Sequence, residues 1–153
     1  MKKLNIIGIL IIIFSIEAVT AQQTKNYFFS KTLMGSFEEV TKKTKSALKE
    51  QGFGVITEID MDIKLKEKLD NVNLRPYKIL GVCNPGYAYQ TIQVEENIGL
   101  FLPCKVLIKD MGNGKVEVVM VNASSLMNML GNDKLDKPAA EVTKKFKKAL
   151  EKL

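Results

Sequence analysis

Histidine is absent from all 153 residues of the chain. Its absence excludes a Ser-His-Asp triad, a Cys-His nucleophile, a histidine-ligated zinc and imidazole acid–base catalysis. Cysteine is scarce: Cys83 and Cys104 are the two, too far apart for a CxxC redox pair or a zinc knuckle. Phosphate-loop patterns are missing as well. Gly52-Phe53-Gly54 and Gly112-Asn113-Gly114 lack the G-x-G-x-x-G or Walker context and read as turn chemistry. With 46% apolar and 26% charged residues, the chain has the composition of one globular domain. That balance excludes a disordered tail, a collagen and a polytopic membrane protein.

The first 21 residues read as an address. Lys2 and Lys3 precede an apolar run from Leu4 to Ile16, and Val19 and Ala21 supply the small residues expected before a signal-peptidase cut. The run falls short of the ~20 residues of a spanning helix, so a secretory signal peptide cleaved near Ala21 is expected, with no transmembrane segment in the mature chain. Loss of this segment takes two lysines and one glutamate from a net charge of +6, leaving +5 on a mature domain of residues 22–153. An exported, periplasmic or secreted protein is not expected to meet nucleic acid.

Hydrophobic periodicity supplies the elements. Tyr27 to Leu33 reads as a strand. Ser36 and Glu39 form a capping box for a helix carrying Phe37, Val40, Thr44, Ala47 and Leu48 on one face and stopped by Gly52. Phe53 to Asp60 alternates as a strand, with Phe53, Val55, Thr57 and Ile59 facing in and Glu58 and Asp60 facing out. Lys64 to Arg75 reads as a charged helical turn or loop, and Tyr77 to Cys83 as an interior strand that is apolar on both faces. Asn84-Pro85 is an N-cap followed by a first-turn proline, opening a short helix to about Glu95.

Ile98 to Asp110 reads as the longest strand, with Ile98, Leu100, Leu102, Cys104, Val106 and Ile108 on one face. A three-residue hairpin at Gly112-Asn113-Gly114 then sets Ile108 opposite Val118, Val106 opposite Met120 and Lys109 opposite Glu117. Ser124 to Leu130 adds a helical turn. The last helix starts near Pro138, capped by Asp136 or Lys137, with Ala139, Val142, Phe146, Ala149 and Leu150 opposite a lysine face. An α+β domain with a mostly antiparallel sheet and helices packed on one face buries each apolar stripe.

Three constellations could carry chemistry. Cys83 and Cys104 read as a disulfide, as two buried thiols, or as a reactive or soft-metal site with Met120, Met127 or Met129. Glu58, Asp60 and Asp62 form a carboxylate row able to hold a hard cation or simply to face solvent. The lysine face of the last helix suits an anionic surface or plain solvation. No spaced acid–base pair beyond the carboxylate row is seen, so the expectation is a non-enzymatic ligand-binding or accessory protein with no cofactor. Thiol redox or soft-metal chemistry is the alternative.

Gly52-Phe53-Gly54-Val55, Glu58-Ile59-Asp60, Gly81-Val82-Cys83-Asn84-Pro85 with Ala88, and the run from Ile98 to Pro103-Cys104 together resemble the domain of unknown function 302 family, over about residues 27 to 122. The resemblance implies a compact α+β domain of strand, helix, four strands and helix that pairs as a homodimer, with no established activity. It singles out Cys83, Asn84, Pro85, Pro103, Cys104 and Asp60 as candidate site residues.

Overall fold

The computed structural model describes residues 27–153, and the expected signal segment lies outside them. In chain order the elements are β1 (Phe28–Met34), α1 (Phe37–Glu50), β2 (Gly54–Asp60), α2 (Met61–Lys66), β3 (Tyr77–Cys83) and α3 (Pro85–Val94). A 3₁₀ segment (Glu96–Phe101) then leads to β4 (Cys104–Gly112), β5 (Lys115–Val121), α4 (Ala123–Met127), two short 3₁₀ turns and α5 (Asp136–Glu151).

The capping box at α1 is complete. Ser36 Oγ accepts from the Glu39 N–H at 3.2 Å, and Glu39 Oε2 accepts from the Ser36 N–H at 3.2 Å, so two otherwise orphaned donors are satisfied. These bonds hold the Glu39 carboxyl below its ordinary pKa. α1 buries Val40, Thr44, Ala47 and Leu48, and α5 buries Ala139, Val142, Phe146, Ala149 and Leu150. Phe53, just past the α1 turn, sets its ring 4.7 Å from that of Phe146 and links the two helices through the core.

All strand pairs are antiparallel, in the order β1-β5-β4-β3-β2. α1 and α5 pack on the face formed by Leu80, Val82, Val106, Ile108, Val118 and Met120, all 0% exposed. The order strand, helix, strand, strand, short helix, strand, strand, helix is thus realised, with short helices inserted, and the fold is α+β. The β4–β5 register sets Ile108 opposite Val118, Val106 opposite Met120 and Lys109 opposite Glu117. The loop itself is tighter than the three residues expected. β4 runs to Gly112, a bulge at Met111 takes up the extra residue, and Asn113 and Gly114, with φ of 53° and 68°, make the tip.

Two strand expectations are corrected. Ile98 to Leu102 does not extend β4; Ile98 to Phe101 belong to the 3₁₀ segment, with Ile98 buried and Leu100 86% exposed, and Leu102 follows it in extended conformation. Pro103 has no N–H to give to a ladder, so pairing begins only at Cys104. In β2 the inward and outward sets exchange part-way. Val55 pairs with Val82 and packs on the core, but a bulge between Val55 and Thr57 puts Glu58 opposite Leu80 and Asp60 opposite Lys78, on the helix-bearing face. One extra residue inverts everything after it, and Thr57 and Ile59 turn to the other face, where they are exposed. At the last helix, Asp136 and Lys137 are helical residues rather than caps, and Pro138 lies in the first turn.

Gly81 is the tightest point of the sheet. A Cβ there would collide with Thr57 Oγ1 and lie 2.6 Å from Pro103 Cγ. Gly81→Ala is therefore expected to destabilise the domain by about 1–3 kcal/mol through overpacking, read as a lower urea midpoint at unchanged slope. An unchanged midpoint refutes the tight contact.

Candidate functional site

The sheet ends at β3 with Cys83, and the chain turns at once into α3. Asn84 makes that turn possible: its Oδ1 accepts from the N–H groups of Gly86 at 3.1 Å and Tyr87 at 3.2 Å, while its Nδ2 donates to the Gly52 carbonyl at 2.9 Å. One side chain thus caps α3 and ties it to the turn after α1. Pro85 follows as the first helical residue, with its φ already suited to the helix. At the far end, Asn132 Nδ2 donates to the Val94 carbonyl at 3.2 Å. Between these two fastenings, none of the ten residues of α3 is buried.

Beneath α3 lies a cavity of about 50 Å³. Phe53 and Val82 form its floor, Tyr87, Ala88 and Thr91 of α3 its roof, and Ile98, Phe101 and Leu102 one wall. Met127 of α4 and Ala139 and Val142 of α5 close the other side. Cys83, Asn84 and Cys104 border it. Pro85 and Pro103 flank it in sequence, the first opening α3 and the second preceding β4.

Both cysteines are free thiols. The register explains why: Cys104 stands opposite Val82, and Cys83 opposite Gly54, so the two are one residue out of step and are not a directly opposed pair. Burial pushes the Cys104 thiol up to about 11, with the nearness of Cys83 as a smaller cause in the same direction, and burial also raises Cys83. Both are therefore protonated at neutral pH, which is the poorly nucleophilic state.

Asp60 belongs elsewhere. Its Oδ1 lies 2.6 Å from Lys78 Nζ in a network where Glu58 pairs with Lys45 at 2.6 Å. Asp62 is buried, accepts the Tyr77 N–H at 3.1 Å and lies 3.7 Å from Lys66. The three carboxylates thus answer lysines and a backbone donor rather than converging on one cation, and no metal-ligating group of three or more His, Cys, Asp or Glu occurs among the described residues.

The sequence reading missed the walls of the cavity. Tyr87, Thr91, Phe101, Ala139 and Val142 come from three separate segments, and nothing in their spacing marks them as neighbours, whereas Met127, one of the methionines set beside the cysteines, does reach the cavity. Ala139 and Val142 carried only the signal of a core-facing helix stripe, which does not distinguish a packed core from a cavity wall.

The model of the family described as domain of unknown function DUF302 matches residues 29–153. The chain belongs to the DUF302 family. A DUF302 relative of known structure, titled the crystal structure of uncharacterized conserved protein DUF302 from Bacillus stearothermophilus, is similar to it at 28% identity with a TM-score of 0.76. The similarity covers 83% of this chain and 98% of that one. No curated protein matches the chain. The DUF302 match reaches the C-terminus and so takes in α4 and α5, which the motif resemblance, ending near residue 122, did not.

The Cys104 thiol gives a pH test. Between its ordinary 9.0 and about 11, the unfolded chain releases this proton while the folded chain keeps it. Stability is therefore full below pH 9 and falls as pH rises toward and through 11, by on the order of 3 kcal/mol at most. Chemical denaturation across that range should show the fall in the wild-type protein and a flatter profile in Cys104→Ala. Equal profiles in the two proteins disprove the burial of this thiol.

Proposed function

We propose that this DUF302 protein is an exported, non-enzymatic binding domain whose ligand site is the apolar cavity under α3. One observation carries the reading: the Asn84 and Thr91 side chains at the cavity are bonded to the protein's own backbone. Asn84 is engaged with Gly52, Gly86 and Tyr87, and the Thr91 hydroxyl donates to the carbonyls of Tyr87 and Ala88. What remains is carbon surface, the Tyr87 phenol and two protonated thiols. Such a lining suits retention of an apolar group and offers no acid–base pair. Xenon dissolved under pressure into labelled protein should shift the methyl resonances of Val82, Met127 and Val142 and leave surface methyls still. Shifts spread over the surface, or none, overturn the reading.

The export half rests on residues 1–21. Intact mass of protein recovered from the periplasm or medium should correspond to a chain beginning at Gln22.

Thiol redox or soft-metal chemistry is a second reading, favoured by one fact: Cys83, Cys104 and the Met127 thioether border the same cavity. The same preparation distinguishes the two. Thiols that titrate only after unfolding, with or without copper(I), support the binding domain. A thiol that reacts in the folded state and is protected by copper(I) moves the metal reading ahead.

We further propose that the protein pairs as a homodimer through the sheet face opposite the helices. Ile59, Ile79, Leu107 and Val119 stand in register across four strands of that face, a continuous aliphatic row. Lys109 and Glu117, 2.6 Å apart, lie on the same face beside it and supply both signs of charge to a self-complementary contact. Leu107→Arg should convert a dimer into a folded monomer by light scattering. A wild-type monomer at working concentration disproves the pairing.

A further inference from the structure

Resting on the cavity as the ligand site, we infer that its ligand class is a single unbranched aliphatic chain, taken up end-first between α3 and the 3₁₀ segment Glu96–Phe101. Size, lining and rim each point the same way. About 50 Å³ admits a few small groups and excludes a drug-sized body, so only the narrow end of a larger ligand enters. The remainder needs apolar surface outside. Phe101 of the 3₁₀ segment supplies it: it lines the cavity and is 36% exposed, and its neighbour Leu100 stands in solvent. Phe101 belongs to both the rim and the lining, so the apolar track is continuous from solvent to the interior.

The polar inventory excludes the other common ligand classes. A sugar, nucleotide, phosphate or amino acid would leave several polar groups unpaired in this lining, at a cost of about 1–3 kcal/mol each. No lysine, arginine or carboxylate lines the cavity. The end group of the chain therefore stays in water, and the site discriminates by length and not by head group. α3 is the element that yields to admit the chain. It is held by Asn84 at its start and by Asn132 at its end, and none of its residues is fully buried, so an outward shift costs chiefly the packing of Tyr87 against the core.

Displacement of a dansyl-labelled fatty acid by saturated fatty acids of stepwise increasing length tests this on the full mature chain. Affinity should rise about fourfold per added methylene until the rim is filled, then level off. The methyl esters should match the free acids at each length. Ala88→Trp, which fills the cavity from the α3 side, should abolish displacement, and the milder Ala88→Leu, kept in case the tryptophan variant misfolds, should weaken it with a native circular dichroism spectrum. If xenon perturbs the cavity methyls but affinity does not depend on chain length, the binding-domain reading stands and the aliphatic chain is wrong. If acids bind far better than their esters, a cation is selecting the head group and the proposal is overturned. If neither xenon nor any chain binds, both readings fall.

Discussion

Pro103 cannot donate a backbone hydrogen bond, and its ring must lie against the sheet beside β3. The ladder between β3 and β4 can therefore begin only at Cys104, and the chain before Pro103 has to find another partner. It finds one by winding into a 3₁₀ segment that buries Ile98 in the core and leaves Leu100 in solvent. The ring itself is accommodated because β3 carries a glycine at the contact, with Thr57 of β2 closing the other side. Three strands are thereby locked at one point, and the segment expelled from the sheet becomes a wall of the cavity. The site is a consequence of where the sheet is not allowed to go.

Polar satisfaction shapes that site as much as packing does. Asn84 serves both as the helix cap and as the tie to Gly52, so three of the four hydrogen-bonding positions of its amide are spent on structure. Thr91 turns its hydroxyl back onto its own helix. Burial keeps the nearby thiols protonated, which makes them behave as small apolar groups. The resulting surface is chemically quiet, and that quietness argues for holding a ligand over transforming one. It stands apart from the lysine and carboxylate network of Lys45, Glu58, Lys78 and Asp60, which is polar, exposed to solvent and internally neutralised.

Local signals in the sequence were dependable where a short-range interaction enforces them. The Ser36–Glu39 capping box and the Asn84-Pro85 helix start depend on contacts within a few residues, and both formed as their residue types require. The β4–β5 register followed from a tight turn and matched alternation, which leave one pairing that buries both apolar sets. Alternation failed where a single residue interrupted it. Ile98, Leu100 and Leu102 alternate perfectly, yet the proline that follows removes them from the sheet. Val55, Thr57 and Ile59 alternate as well, yet a bulge at Ile56 inverts the strand part-way. Neither event leaves a mark in the hydrophobic pattern, because the first turns on a missing backbone donor and the second on what the neighbouring strand presents.

The sequence by itself determined the fold class, the helix caps, the hairpin register and the family motifs around Cys83 and Cys104, since each is set by neighbours along the chain or by burial of one face. Tertiary structure alone decided that the two cysteines stand one residue out of register, that Asp60 lies apart from them, and that α3, α4 and α5 enclose an apolar space. Those outcomes are relations between segments tens of residues apart. They are fixed by strand pairing and by the volume left between packed elements, quantities that no local pattern encodes.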